Sequence, residues 1–132
     1  MRHSKLSMLV ITIFLISFFI YPAFSQDGII TISAKDFWLE FQNDKHTAES
    51  KYIGQTMNYT GVVVGTGISI YMTPNVMLSD NIDGSVYLIC VLSRGDVDKL
   101  SQFKKGDTIT MNGRVYRSKT GGGVVIKECK QV

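Results

Sequence analysis

Apolar and polar side chains alternate along most of the chain after Gly54, with the two-residue period of half-buried β-strands. One extended stretch covers residues 68–72 and resumes at 76–78, after a Thr-Pro-Asn turn. Residues 85–92 are so uniformly apolar that the pattern does not fix which side of this strand points inward. The pattern predicts five strands, over residues 57–63, 68–78, 85–92, 108–116 and 124–129.

Ahead of these strands, Ser33 and Asp36 have the spacing of a helix N-terminus, where each side chain can satisfy a free backbone N–H. Phe37 and Phe41 follow four residues apart on one helix face, with Trp38 beside them. Aromatic side chains at helical spacing are far more often part of a core than of a ligand site. We therefore expect this aromatic cluster to close one end of the core.

Two further helical segments are predicted, one on each side of the first three strands. The first covers residues 47–52 and is ended by Gly54. The second covers 94–103, with Ser93 as its N-cap and acidic residues in its first turns, where the helix dipole favours them.

The resulting order is helix, three strands, helix, two strands, which is the layout of an OB barrel. A β-sandwich requires about seven strands, more than the pattern supplies. Gly61 and Gly113 lie inside predicted strands, where glycines often mark the bends of small barrels. We therefore expect a mainly β (α+β) fold, a five-stranded OB barrel with an N-terminal helix and a helix between strands three and four.

Residues 1–25 have the pattern of a signal peptide: two basic residues, an apolar run over 8–21, and small side chains at Ala23 and Ser25 before the expected cleavage. The apolar run is shorter than the roughly 20 residues that span a bilayer, which favours cleavage over an uncleaved anchor. No cysteine lies near the cut to accept a lipid. We expect residues 26–132 to form a single domain that is periplasmic or secreted and has no stable membrane span.

Removal of Arg2 and Lys5 with the leader changes the charge of the protein. The chain has 14 basic and 11 acidic residues, so 12 basic against 11 acidic remain and the mature net charge is +1. Proteins that bind nucleic acid through phosphate neutralisation usually carry a concentrated basic surface. The overall charge therefore gives no support to nucleic-acid binding, although it leaves room for a local basic patch.

Several short motifs occur in the same order as in a known family. They are Ser33-Ala34-Lys35-Asp36, the spacing from Asn43 through Ala48 to Lys51-Tyr52-x-Gly54, Thr60-Gly61-x-Val63, the strand ending in Cys90, Lys105-Gly106-Asp107, and Lys127-Glu128-Cys129. On these motifs the chain resembles the bacterial tRNA-anti-like OB-fold family of exported proteins and lipoproteins. The resemblance implies an OB fold; the family is named for its similarity to anticodon-binding domains, not for tRNA binding. Unlike the lipoprotein members, this chain has no cysteine at the cleavage site.

Both cysteines, Cys90 and Cys129, belong to the exported part of the chain and lie on predicted strands. In an oxidising compartment a pair is more often a cystine than two free thiols, and a bond here would contribute roughly 3 to 4 kcal/mol. The alternative, a redox-active pair, lacks the C-x-x-C spacing that lowers a thiol pKa.

The sequence lacks the usual components of a catalytic or cofactor site. His46 is the only histidine after the leader, and we expect it to be solvated rather than part of a Ser-His-Asp arrangement. One histidine and two cysteines have no recognisable metal-ligand spacing, and the glycines of 121–123 do not lead from a strand into a helix as a phosphate loop does. We therefore predict no catalytic activity, no metal and no cofactor.

The remaining candidate is the outer surface of the barrel, since OB folds commonly bind through strands two and three and the adjoining loops. The candidate ligand-binding residues are Tyr71, Tyr87, Arg114, Tyr116, Arg117 and Lys119. The simpler interpretation is that they are ordinary outward strand residues.

The sequence predicts an exported, non-catalytic binding module that recognises an envelope protein, peptide or glycan. The alternative is a protein that binds single-stranded nucleic acid, motivated by the fold and the basic residues of 114–119. A thiol-dependent redox protein is the third hypothesis.

Overall fold

The computed structural model describes residues 29–117 and 123–132, in which six strands surround one core. The strands are β1 (Thr31–Ser33), β2 (Thr56–Ile68), β3 (Pro74–Ser79), β4 (Leu88–Val91), β5 (Thr108–Tyr116) and β6 (Val124–Gln131). The helices are α1 (Ala34–Asn43), α2 (Lys45–Tyr52) and a 3₁₀ helix (Arg94–Gln102). None of the helices within these described ranges has the length and apolarity that a membrane crossing requires. The predicted leader lies outside the described residues.

Five of the strands close into a barrel, in the order β2-β3-β4-β6-β5 and back to β2. The 13-residue strand β2 makes closure possible because its first half pairs with β5 and its second half with β3. The short strand β1 runs parallel to β2 as an additional edge strand. The predicted mainly β fold, a five-stranded barrel with helices before the first strand and between the third and fourth, is confirmed.

Two glycines allow backbone segments to approach one another inside the barrel wall. A Cβ atom on Gly61 would lie 3.0 Å from both the Leu78 Cβ atom and the Ser79 carbonyl oxygen. A Cβ atom on Gly113 would lie 2.8 Å from the Cys129 sulfur and closer still to Ile126. Both glycines were expected at bends, and at both positions the strand is in close contact with its neighbours.

Helix α1 forms and packs as the sequence predicts. The Ser33 hydroxyl accepts a hydrogen bond from the Asp36 backbone N–H (3.1 Å), which caps the helix. The Phe37 ring is fully buried and lies 5.1 Å from the Phe41 ring, 4.9 Å from Tyr52 and 5.0 Å from Tyr59. The aromatic cluster therefore belongs to the core, as expected.

The structure corrects the prediction that residues 68–72 belong to a strand. Strand β2 ends at Ile68, which pairs with Pro74, so the residues between them form the tip of a β-hairpin. The Ser69 hydroxyl accepts hydrogen bonds from the backbone N–H groups of Tyr71 and Thr73, both at 3.3 Å, and Met72 has a positive φ of 60°. This hydrogen-bonded turn competes successfully with the extended conformation that the alternation suggested.

The segment after the third barrel strand also differs from its prediction. It is a 3₁₀ helix, and the Ser93 side chain makes no capping hydrogen bond. The Ser93 carbonyl oxygen instead accepts a hydrogen bond from the Asp96 N–H at 2.9 Å, which closes the first 3₁₀ turn through the backbone.

Candidate ligand-binding face

The connection between β2 and β3 exposes apolar side chains. We call residues 68–73 the hairpin tip. Its exposed fractions are 50% for Ile68, 90% for Ile70, 69% for Tyr71 and 61% for Met72. Such a group of neighbouring apolar side chains in water is uncommon in a monomeric protein and often marks an interaction surface.

The outer side of the barrel continues this apolar character across several strands. Cross-strand neighbours in a sheet point to the same side, and the register places Met77 beside Gly65 and Ile89, Ile89 beside Val125, and Val125 beside Tyr116. Their chain neighbours Val76, Leu78, Leu88, Cys90, Val124 and Ile126 are buried in the core. We call Met77, Ile89, Val125 and Tyr116 the outer apolar row; the first three are half-buried and Tyr116 is 53% exposed.

An open groove of about 460 Å³ adjoins this row on the outside of β2 and β3. Apolar side chains of Val64, Met77, Ile82 and Val86 form one part of its wall. The remaining lining residues are Asp83, Gly84 and Lys105. The groove extends the apolar surface from the outer apolar row to the connection between β3 and β4.

Basic residues are absent from this part of the chain. No lysine or arginine occurs between Lys51 and Arg94, a stretch that contains β2, the hairpin tip, β3 and β4. Its charged residues are Asp80, which forms an ion pair with Lys35 at 3.4 Å, and Asp83. The apolar face therefore offers a phosphate backbone no cation from its own strands.

Apart from Lys105 in the groove, basic residues near this face lie on β5 and β6, at the far end of the outer apolar row. Arg114 pairs with Lys127 across the two strands, and the Lys127 ammonium lies 3.7 Å from the centre of the exposed Tyr116 ring. This is the geometry of a cation–π contact. The Arg117 guanidinium forms an ion pair with Glu49 of α2 at 3.3 Å, which offsets its charge.

The six sequence-predicted site residues lie in different parts of the molecule. Tyr71 is on the hairpin tip, whereas Arg114 and Tyr116 share the outward side of β5. The Tyr87 ring packs against Trp38 of α1 at 4.9 Å, and Arg117 contacts α2. Lys119 lies outside the described residues. The structure thus brings Arg114 and Tyr116 together, whereas Tyr71 lies on the hairpin tip and Tyr87 packs against α1, and the binding role of all six stays a prediction.

Sequence reasoning missed Ile70, Met72, Met77 and Ile89 as surface residues. The strand predicted over 68–72 assigned Ile70 and Met72 to the inward side, and the uniformly apolar stretch around Ile89 had no period. The long stretch without lysine or arginine was a usable signal, because a solvent-exposed sheet surface usually carries such residues.

Other chemistry is not concentrated on this face. In the part of the chain that the structure describes, no three His, Cys, Asp or Glu side chains are grouped to hold a metal ion. His46 is exposed on α2, as expected. Cys90 and Cys129 are buried free thiols inside the barrel, so the predicted cystine stays a prediction. What the face offers a ligand is apolar and aromatic contact.

Comparison with known proteins places the fold. The profile of the tRNA_anti-like family matches residues 3–130. A Klebsiella pneumoniae protein assigned as a nucleic acid-binding lipoprotein has a crystal structure with a TM-score of 0.67 and 19% identity, over 81% of this chain and 99% of that chain. RecG bound to a three-way DNA junction gives a TM-score of 0.50 at 14% identity, over 81% of this chain and 13% of that one. No curated protein matches the chain. At these identities the likeness shows the OB fold alone.

Proposed function

Since the chain belongs to the tRNA_anti-like family, we propose that it is an exported, non-catalytic OB-fold binding module whose ligand is an apolar segment of a protein or peptide. The contact surface is the hairpin tip together with the outer apolar row. The signal-peptide pattern of residues 1–25 supports export, and the uncleaved anchor remains the alternative fate of the leader.

The observation that carries this proposal is the exposure of Ile68, Ile70, Tyr71 and Met72 on the hairpin tip. Removing exposed apolar surface from water makes the free energy of ligand binding more favourable. The hairpin tip connects the first and second barrel strands, and the Met77 and Ile89 side chains lie on the second and third. OB folds usually bind their ligands through these strands and their connecting loops.

Charge distinguishes a protein ligand from a nucleic acid at this surface. Neutralisation of phosphates supplies most of the non-specific affinity of nucleic-acid-binding proteins. The strands β2, β3 and β4 contain no lysine or arginine. An apolar peptide needs no such cationic partner.

Single-stranded nucleic acid is the second candidate, on a different part of the barrel. Tyr116 is exposed for stacking and has Arg114 and Lys127 beside it. Aromatic platforms combined with cations are the usual means of binding single strands. Nucleic acid at this site would leave the hairpin tip free.

A selection from a random peptide library tests the proposal. Peptides enriched on the purified protein are expected to be rich in apolar residues and to lose at least about tenfold in affinity when Ile70→Ser and Met72→Ser are combined, since each buried apolar side chain is worth roughly 1.5–3 kcal/mol. The matched control is Ile30→Ser, because Ile30 is similarly exposed (64%) but lies before β1.

Equal affinity of the double variant and the wild type would place the site elsewhere. Binding of single-stranded oligonucleotide that weakens steeply with salt and is lost in Arg114→Ala with Lys127→Ala would favour the second candidate. Turnover of a substrate by the purified protein in an activity screen would contradict the non-catalytic part of the proposal.

A further inference from the structure

Strand β6 departs from strict alternation just before its cysteine. Ile126 points into the core and Lys127 out, but Glu128 is also exposed and Cys129 is buried again. A β-bulge explains the change, because Glu128 has a positive φ of 56° and the register with β5 shifts opposite it, between Asn112 and Arg114. Without this extra residue, Cys129 would point outward.

The bulge brings Cys129 next to the other cysteine of the barrel. Cys90 lies on β4 and pairs with Ile126 of β6, three residues before Cys129. The Cys129 thiol is close enough to the Cys90 thiol to raise its pKa, and it donates a hydrogen bond to the Ile126 carbonyl oxygen at 3.4 Å. Both side chains are buried. Gly113 on β5 leaves the space for this arrangement, since a Cβ atom there would lie 2.8 Å from the Cys129 sulfur.

The bulge of β6 places the two cysteines together at a cost in backbone conformation. A left-handed conformation at a glutamate costs free energy, and in this strand its result is an inward Cys129 beside Cys90. Within the described residues, the parallel pairing of β4 with β6 is also the only strand pairing that joins the first three barrel strands to the last one directly. A covalent link between β4 and β6 would stabilise the closed barrel.

We propose that Cys90 and Cys129 form a disulfide that joins β4 to β6, and that the bond forms while the barrel is still open. Each thiol gives up its proton and the pair gives up two electrons to an oxidised disulfide of a thiol oxidoreductase in the export compartment. That disulfide leaves as two thiols, so sulfur, protons and electrons balance.

Burial determines when the reaction can occur. The attacking species is a thiolate, and it must reach the disulfide of the oxidant. Interaction with the Cys129 thiol, together with burial, raises the pKa of the Cys90 thiol well above its ordinary value. In the closed barrel both thiols are buried and out of reach of the oxidant, so we expect oxidation to precede closure and the completed bond to be protected from reductant. The proposed bond is therefore a structural disulfide, not a redox-active site.

The thiol count of the full-length gene product, exported by a bacterial host and purified without reductant, tests the first half of the proposal. Denaturation and alkylation are expected to add no label, with a mass about 2 Da below that of the reduced chain and a peptide digest that links the two cysteines. Two alkylated cysteines in this material would overturn the proposal.

The accessibility of the thiols and the thermal stability of the protein test the second half of the proposal, that the bond forms before the barrel closes. The reduced protein, refolded, is expected to resist both alkylation and oxidation until it is denatured, and the oxidised protein to keep its bond in mild reductant. Complete reduction should lower Tm by about 10–20 °C, since the bond closes a long loop. The double variant Cys90→Ala with Cys129→Ala is the control, because its Tm should be the same with and without reductant. Rapid labelling of the folded, reduced protein, or an unchanged Tm after reduction, would contradict the inference.

Discussion

Tyr59 lies on β2 and is buried inside the barrel, where its ring and its hydroxyl have opposite effects on stability. The side chain is fully buried and its ring packs 5.0 Å from Phe37. Within the described residues, its hydroxyl is the buried side-chain polar atom without a hydrogen-bond partner. A buried hydroxyl that has lost water and gained no partner costs roughly 1–3 kcal/mol.

Removal of this hydroxyl is therefore expected to stabilise the protein. Tyr59→Phe keeps the ring contacts and should raise the free energy of unfolding by about 1 kcal/mol, measured by urea denaturation. The matched control is Tyr52→Phe, which should lower it by about 1 kcal/mol because the Tyr52 hydroxyl donates to the Glu40 carboxylate. A loss of stability in Tyr59→Phe would show that its hydroxyl has a partner.

The Tyr59 hydroxyl should also make the free energy of unfolding depend on pH in the alkaline range. Burial raises the pKa of the Tyr59 hydroxyl far above its ordinary value. Above the unfolded-chain pKa of about 10, the unfolded protein loses this proton and the folded protein keeps it, so stability falls as pH rises. The decrease in the urea midpoint between about pH 8 and pH 11 should be smaller in Tyr59→Phe than in the wild type. Parallel curves would contradict this assignment.

At the scale of elements, the bulge of β6 and the strand opposite it form one unit. Glu128 adopts the left-handed conformation and Gly113 of β5 lies against Ile126 and Cys129. The glycine is required by space, not by backbone conformation, since a side chain there would overlap the core.

Gly113→Ala is expected to lower the free energy of unfolding by about 1–3 kcal/mol, because the added methyl group forces the packed strands apart. Gly95→Ala in the 3₁₀ helix is the matched control, since a methyl group at Gly95 would have no atom within 4 Å and the change should be nearly neutral. Chemical denaturation of both variants measures the difference. Equal stabilities would mean that the bulge relaxes at little cost.

The elements also show which features the sequence could predict. The Ser33 cap, the aromatic cluster around Phe37 and the alternation of β2 and β5 were predictable, because each depends on contacts or spacing within a short segment. The hairpin tip was not, since Ile68, Ile70 and Met72 alternate as they would in a strand, while the turn depends on Ser69 hydrogen bonds.

The candidate face was predictable only in part, because the pairing between distant strands decides which of its side chains face outward. The outward side of β4 could not be assigned while every neighbour was apolar; the barrel places Leu88 and Cys90 inside and leaves Ile89 half-exposed. The proximity of Cys90 to Cys129 depends on a bulge that no local pattern signals. Long-range register decided both features.

For the whole molecule, the separation of apolar and basic surface is the feature that bears most on function. The hairpin tip and the strands β2 to β4 contribute no lysine or arginine to the apolar surface, whose groove is lined by one lysine, Lys105, whereas Arg114 and Lys127 lie on β5 and β6. Association with the apolar surface should therefore change little with salt concentration, because few counterions are released.

Amide chemical-shift mapping of the isotope-labelled protein with a library-selected peptide tests the central claim most directly. The account predicts that the largest shifts fall on residues 68–73 and on Met77 and Ile89, and that they persist as salt is raised. Shifts confined to Arg114, Tyr116 and Lys127 that disappear with salt would contradict it.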